Sequence, residues 1–227
     1  MRGLFVTGTD TGVGKTVIAA ALCAGLRARG ERVAAFKPVV TGLDEQPAEW
    51  PPDHELLASA TGQTPEEVAP HRFGPAVSPH LAAELGGREL EPRDLVAQAR
   101  RAAARADVLV AEGVGGLLVP ITTEYSVRDL ASELALPLLV AARPSLGTIN
   151  HTLLTLEAAR GAGLQVAAVV MTPWPAEPSV MEQSNRLAVE RLGHVQVLGM
   201  APTTPSSLAS AGLALADRLR SRHTGWR

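Results

Sequence analysis

The chain has 227 residues, of which 46% are hydrophobic and only 3% aromatic, and its formal net charge is −2. This length fits one domain with a core of mainly Ala, Val and Leu. The charge argues against a nucleic-acid partner, and no apolar run reaches the ~18 residues that a membrane span needs. The single cysteine, Cys23, excludes an internal disulfide and is expected to be a buried apolar residue of a helix. We therefore expect a soluble cytoplasmic protein.

Short apolar runs alternate with longer helical patterns along the chain. The runs lack the period-two alternation of half-exposed strands, as expected for strands covered on both faces. They span residues 4–7, 32–36, 108–111, 138–142, 166–171 and 195–200. The predicted helices are 15–29, 95–105, 127–134, 149–162, 179–191 and 206–220. This alternation predicts an α/β fold in three layers, doubly wound, with a mostly parallel sheet of about seven strands flanked by helices.

Residues 42–93 interrupt this alternation. They are rich in Pro and Gly and contain two short helical patterns, near 53–60 and 79–85. We interpret them as an insertion over the strand ends, within a single domain that spans residues 1–227. Two roles remain open for the insertion, namely substrate contacts or a structural cover.

A glycine-rich loop, Gly8-Thr9-Asp10-Thr11-Gly12-Val13-Gly14-Lys15-Thr16, follows the first predicted strand. Its glycines allow several N–H groups to converge on one phosphate, and the next helix adds its positive N-terminal end. Lys15 would bridge the β- and γ-phosphates, and Thr16 would ligate Mg²⁺. Gly8 stands one residue earlier than in the standard P-loop pattern. Asp10 would repel phosphate, so a turn role is expected for it. The loop indicates a P-loop NTPase, with nucleotide contacts from Gly12, Val13, Gly14, Lys15, Thr16 and Val17.

Charged residues follow two other predicted strands. Lys37 ends the second strand and would join Lys15 in neutralising a transferring phosphoryl group, unless it is simply solvated. Glu112 follows the strand 108–111, as a Walker-B acid does, and would orient the Mg²⁺ shell. The next residues, Gly113, Val114 and Gly115, would allow close approach to a nucleotide. Asp53 is either a second metal-side carboxylate or an ordinary helix N-cap.

These motifs occur in an order that resembles the dethiobiotin synthetase family. They are the loop 8–16, Lys37-Pro38-Val39-Val40-Thr41-Gly42, Ser78-Pro79-His80, Glu112-Gly113-Val114-Gly115-Gly116 and Leu146-Gly147-Thr148-Ile149-Asn150-His151. The resemblance implies that 7,8-diaminononanoate, CO₂ and ATP give dethiobiotin, ADP and phosphate through a phosphorylated carbamate. It covers nearly the whole chain and also implies a homodimer.

The resemblance assigns roles to individual residues. Lys37, Lys15 and Thr11 would act at the reacting end, with Thr41 also contacting substrate. Thr16, Asp53 and Glu112 would surround Mg²⁺. The substrate carboxylate would be held across the dimer interface by backbone N–H groups of the turn Gly147, Thr148, Ile149 and Asn150. Without the resemblance this turn would be interpreted as a plain strand–helix connection.

The chain departs from the family pattern at two places. Some members carry Glu at the position of Gly12. After the strand 166–171, well-known members have an Asn-Asp pair that recognises adenine, whereas this chain has Thr172-Pro173. We therefore expect a nucleotide-base pocket at Thr172 and Pro173 with a relaxed preference among nucleotides.

Two other functions are compatible with parts of the sequence. A regulatory P-loop ATPase of the partitioning or septum-placement type could use segment 206–222 as a basic amphipathic membrane anchor. Such ATPases usually carry an extra lysine early in the loop, where this chain has Thr9-Asp10-Thr11. A related amidating synthetase would need a glutaminase cysteine, and Cys23 in the first helix is a poor candidate.

Overall fold

The computed structural model describes residues 1–45 and 50–220 of the chain. Six of its strands form one parallel sheet, namely β1 (Gly3–Gly8), β2 (Val33–Phe36), β5 (Val108–Gly116), β6 (Leu138–Ala142), β7 (Val166–Met171) and β8 (Val197–Gly199). Their order across the sheet is β2-β5-β1-β6-β7-β8. Two further strands, β3 (Val39–Val40) and β4 (His71–Arg72), pair in a separate small sheet.

The expected count of about seven sheet strands was wrong, because the main sheet has six strands in the described residues. The chain leaves this sheet at Pro38, which has no backbone N–H to donate to a strand ladder. The N–H of Lys37, just before it, bonds to the carbonyl of Val68 outside the sheet. Val39 and Val40 then pair with residues 71–72 of the insertion instead of extending the main sheet.

Helices cover both faces of the main sheet, which confirms the three-layer α/β fold. They are α1 (Lys15–Ala28), α2 (Asp53–Thr61), α3 (Pro65–Val68), α4 (Pro79–Leu85), α5 (Pro92–Ala104), α6 (Val127–Leu134), α7 (Thr148–Gly161), α8 (Val180–Gly193) and α9 (Leu208–Arg220). Successive residues of β1 point to opposite cores. Leu4 and Val6 pack with α1 and α9, whereas Phe5 packs with α5 and α6. Every residue of β1 is buried, which explains why its sequence shows no alternation.

The first and last helices pack closely against each other. Gly25 of α1 faces Gly212 of α9, and Leu208, Leu215 and Leu219 of α9 are buried in the same core. The apolar side of the C-terminal helix is therefore covered by the protein itself. Residues 221 and 222 of the amphipathic segment considered above lie outside the described residues. No helix in the described part is long and apolar enough to cross a membrane.

Candidate active site

Strand order explains why the predicted site residues meet. β5 lies between β1 and β2, and Val6 of β1 and Phe36 of β2 pair with Glu112 and Ala111 of β5. The loop after β1 and Lys37 after β2 therefore lie on either side of Glu112, at the level where β2 ends. This is the edge at which open α/β sheets bind ligands. The prediction that Glu112 follows its strand was wrong, because β5 continues to Gly116 and holds Glu112 inside the strand.

The glycine-rich loop presents free backbone donors. Gly12 has φ 69° and Gly14, which precedes α1, has φ 90°, conformations that glycine adopts readily. In the described structure, the N–H groups of Gly12, Val13 and Gly14 donate no hydrogen bond. Three consecutive free N–H groups at a helix N-terminus form a ready anion site.

Asp10 has the turn role expected from its sequence position. Its carboxylate accepts the N–H of Thr11 at 2.7 Å, and its carbonyl oxygen accepts a hydrogen bond from Lys15 Nζ at 2.9 Å. The Lys15 ammonium is thus held over the loop, at the level where a phosphate chain would lie.

Lys37 forms the centre of a charged cluster. Its Nζ lies 2.6 Å from Glu112 Oε1 and 2.7 Å from Asp53 Oδ2, and the same Glu112 oxygen accepts the hydroxyl of Thr16 at 2.8 Å. The side chains of Lys37 and Glu112 are 3% and 0% exposed, whereas that of Asp53 is 44% exposed. Lys37 is therefore not a solvated strand-end lysine. Asp53 is not a plain N-cap either, since Pro52 holds that position and the Asp53 carboxylate turns to Lys37.

Burial and neighbouring charges set the protonation of these groups. Burial by itself favours neutral Lys37, but Asp53 and Glu112 overcome it and raise the pKa of the Lys37 ammonium. Burial, together with the charge of Lys37, lowers the pKa of Lys15 to about 8. The pKa of Asp53 is lowered because Lys37 outweighs the effect of burial, while burial raises the pKa of Glu112. Lys15 and Lys37 are the only two lysines in the sequence.

The donor set at this cluster fits a magnesium ion. Glu112 Oε2 is buried and has no hydrogen-bond partner among the described residues, so one carboxylate oxygen remains available. Thr16 and Asp53 add oxygen donors, the type that Mg²⁺ prefers. The described residues contain no group of three or more His, Cys, Asp or Glu side chains suited to a metal. Such a protein-only cage is not needed, because Mg²⁺ usually binds through one or two carboxylates together with substrate phosphates and water.

A cavity of about 700 Å³ opens beside the cluster. The sequence-predicted residues on its wall are Thr11, Gly12, Gly14, Lys15, Thr16, Val17, Lys37, Thr41, Asp53, Val114 and Gly115. Its remaining wall is mainly apolar and comes largely from the insertion, including Trp50, Pro51, Val77 and Pro79. The insertion was expected to lie over the strand ends, with substrate contacts as one of its two open roles. Among its individual residues, only the Ser78-Pro79-His80 motif carried a signal in the sequence.

Some predicted residues do not line this cavity. Gly113 packs inward, where an added Cβ would lie 2.7 Å from Val127 Cγ1. Thr172 is buried beneath the loop, with its methyl carbon 2.6 Å from where a Cβ on Gly14 would stand, and Pro173 follows it outside the cavity wall. Val13 is buried with 3% exposure, so only its backbone is placed for a ligand.

The turn 147–150 lies beside a second cavity of about 470 Å³. Gly147 precedes α7 with φ 90°, and Thr148 is buried against Thr152. His151 and Leu154 of α7 line this second cavity, and Val119 lines both cavities. The two cavities therefore adjoin at Val119, although none of residues 147–150 lines either of them.

The chain is similar to known proteins along most of its length. A family model described as an AAA domain matches residues 2–210. A protein of Anaeromyxobacter dehalogenans (strain 2CP-1), named ATP-dependent dethiobiotin synthetase BioD, is 44% identical over 90% of this chain and 92% of its own length. Proteins of the same name from Bacillus licheniformis and Bacillus subtilis (strain 168) are 41% and 36% identical over 89% of this chain, and the matches cover 86% and 87% of their lengths.

Proposed function

Because the chain belongs to the ATP-dependent dethiobiotin synthetase family, we propose that it closes the ureido ring of dethiobiotin from 7,8-diaminononanoate, CO₂ and ATP. In this reaction one amine of the diamine captures CO₂ as a carbamate and releases a proton. A carbamate oxygen then attacks the γ-phosphorus of ATP and ADP leaves. The second amine attacks the carbamoyl carbon, which closes the ring and expels phosphate.

The observation that carries this proposal is the position of Lys37. Its ammonium lies between two carboxylates, beside Thr16 and on the wall of the same cavity as Lys15. Two fixed cations at the reacting end would bind the carbamate and neutralise charge on the phosphoryl group as it transfers. Thr11 and Thr41, on the same wall, would donate hydroxyl hydrogen bonds to phosphate or substrate. The protein need supply no nucleophile, because its task is to position the carbamate and balance charge.

Magnesium would be held by Thr16, Asp53 and Glu112 together with the nucleotide phosphates. The ion would supply charge neutralisation for the phosphates when bound. Lys37 would then exchange part of its contact with Asp53 and Glu112 for a contact with the carbamate. The nucleotide phosphates would lie along residues 12–17, with Val114 and Gly115 on the same cavity wall. The base would extend beyond this cavity toward Thr172 and Pro173.

The second cavity supports the expected location of the substrate carboxylate. The turn 147–150 lies beside this cavity and carries backbone N–H groups at the start of α7. Leu146, Leu118 and Leu154 around this turn and cavity are 86%, 59% and 56% exposed. An apolar surface of this kind is typical of a protein contact. We infer that it is the homodimer interface, across which residues 147–150 of one subunit hold the carboxylate bound to the other.

The regulatory ATPase alternative has less support. Its relatives would use an early loop lysine that this chain lacks, and the apolar side of α9 is packed against α1. The amidating-synthetase alternative needs an accessible cysteine nucleophile, and Cys23 is fully buried in α1.

We also propose that the enzyme works in the cytoplasm.

The decisive experiment measures phosphate release from ATP with Mg²⁺ and bicarbonate, with and without the diamine, together with dethiobiotin formed. We expect release that depends on the diamine and matches the product. Lys37→Ala and the stem-preserving Lys37→Met should abolish turnover while still binding a non-hydrolysable ATP analogue. Arg93→Met, at an exposed site on α5, is the matched control and should turn over normally. Diamine-independent phosphate release would reject the proposed reaction, and near-normal turnover of both Lys37 variants would remove Lys37 from it.

The dimer is tested separately by light scattering after size-exclusion chromatography. Leu146→Asp should yield a monomer, whereas Leu187→Asp, on the exposed side of α8, should leave the mass unchanged. Leu187 is 64% exposed, so its replacement removes a similar exposed apolar side chain away from the proposed interface. A dimer that survives Leu146→Asp, or dissociates only with Leu187→Asp, would place the interface elsewhere.

A further inference from the structure

Arg143 makes a contact with the phosphate loop that the sequence patterns do not indicate. It follows the last residue of β6 directly, and its Nη2 donates a hydrogen bond of 3.0 Å to the carbonyl oxygen of Gly12. The side chain is exposed, and within residues 1–45 and 50–220 no carboxylate lies within ion-pair distance of it. The Arg143 guanidinium therefore donates to a loop carbonyl and forms no ion pair with a carboxylate in this part of the chain.

This hydrogen bond fixes the direction of one peptide group. In a trans peptide the carbonyl oxygen and the next N–H point to opposite sides of the chain. When Arg143 holds the Gly12 carbonyl on its own side of the loop, the N–H of Val13 is turned to the other side. That N–H has no acceptor in the described structure, and the neighbouring Gly12 and Gly14 line the main cavity.

We propose that Arg143 is a positioning residue of the phosphate loop, which acts through the Gly12 carbonyl to aim the Val13 N–H at a nucleotide phosphate. The guanidinium suits this role because it is permanently charged and presents rigidly oriented donors. A charged donor also makes a stronger hydrogen bond to a carbonyl than a neutral one does. The loop is thereby held ready for the nucleotide, so less ordering is needed on binding.

The Arg143 guanidinium lies in the space that a side chain at position 12 would occupy. A Cβ added to Gly12 would lie 3.0 Å from Arg143 Nη2, and the φ of Gly12 is 69°. A side chain at position 12 would therefore push the guanidinium away, by a few tenths of an ångström for a methyl group and farther for a longer side chain. The absence of a side chain at Gly12, noted above as a departure from some family members, leaves the space that Arg143 uses.

The test is calorimetric titration of the purified protein with a non-hydrolysable ATP analogue and Mg²⁺. We expect Arg143→Met to weaken binding about tenfold, the scale of one lost charge-assisted hydrogen bond. Arg143→Lys should recover part of the affinity, because an ammonium can still donate to the carbonyl. The melting temperature of each ligand-free variant should match that of the wild type, which a generally structural role would not allow. Arg93→Met is the control for loss of an exposed arginine and should bind normally.

A double-mutant cycle tests the link to Gly12. Gly12→Ala should weaken binding, and adding Arg143→Met to it should cost less than tenfold, because the shifted guanidinium already makes a weaker contact with the carbonyl. Binding by Arg143→Met within twofold of the wild type, equal weakening by Arg93→Met, or additive effects in the cycle would each overturn the proposal. The test depends on ATP binding and not on the diamine, so it can fail while the proposed reaction stands. Failure of the wild type to bind the analogue would reject nucleotide binding by the loop itself.

Discussion

The close contact between α1 and α9 predicts that Gly212→Ala destabilises the protein. A Cβ added to Gly212 would overlap the carbonyl oxygen of Ala21, and one added to Gly25 would lie 2.5 Å from the carbonyl carbon of Gly212. Both distances are well below 3.0 Å, and Cβ contacts shorter than 3.0 Å essentially never occur. Ala21 contributes backbone atoms, which cannot rotate away as a side chain could. Gly212→Ala must therefore push the two helices apart by about 1 Å or more.

The expected loss of unfolding free energy comes mainly from three buried leucines, whose packing against α1 becomes looser when the helices move apart. Leu208, Leu215 and Leu219 are 7%, 4% and 1% exposed, and burial of each contributes about 2 kcal/mol. A gap of 0.5–1 Å forfeits roughly a quarter to a half of the contact energy, and residual overpacking adds about 1–3 kcal/mol. Alanine returns about 1 kcal/mol through its higher helix propensity. We expect Gly212→Ala to lower the free energy of unfolding by about 1.5–5 kcal/mol.

The assay is urea unfolding followed by circular dichroism. Gly161→Ala is the matched control, because Gly161 is the exposed last residue of α7 and nothing lies within 4 Å of the added Cβ. The same chemical change there should be neutral or slightly stabilising, by up to about 0.5 kcal/mol. A stability of Gly212→Ala within about 0.5 kcal/mol of the wild type, or an equal loss from Gly161→Ala, would show that the contact between α1 and α9 accommodates the added methyl group.

Three further outcomes are expected. Cys23 is fully buried and burial raises the pKa of its thiol, so Ellman's reagent should react with it only after unfolding, and rapid reaction of the native protein would contradict its placement. With ¹³C-labelled lysine the NMR spectrum should show two side chains, of which Lys15 loses its proton as the pH rises through about 8, whereas Lys37 keeps its proton above the ordinary lysine pKa of 10.5. Lys37→Arg assigns the signals, and two midpoints near 10.5 would contradict these pKa shifts. Initial rates with ATP, CTP, GTP and UTP should be similar because Thr172-Pro173 replaces the family's Asn-Asp pair, and strong selectivity for ATP would show that other groups recognise the base.

The local patterns were sufficient to predict most of the fold. Fully apolar runs without alternation indicated strands buried on both faces, and all six are found in the sheet, with ends shifted by a few residues. The strand predicted at 195–200 is shorter in the structure, where β8 covers Val197–Gly199. The loop 8–16 was recognisable because its chemistry is local: glycines, a lysine and a threonine lie next to one another in the chain.

Other features depended on contacts between distant segments. The role of Asp53 was ambiguous in the sequence, since a carboxylate at a helix start caps a helix or faces a ligand with equal ease. Its position 2.7 Å from Lys37 is set by how the insertion folds over the strand ends. Likewise, nothing near Arg143 in the chain indicated the loop, because its contact with Gly12 joins residues 131 positions apart.

The glycine-rich loop, the strand–helix alternation and the ordered motifs were determined by the sequence itself, because each depends on residues adjacent in the chain. The tertiary structure decided that β5 lies between β1 and β2, which places Glu112 against both Thr16 and Lys37. It also decided the protonation of the two lysines, since burial and the opposing charges that shift their pKa values come from different strands and helices. The order of strands in a sheet is not encoded in any one segment, and the chemistry of this site follows from that order.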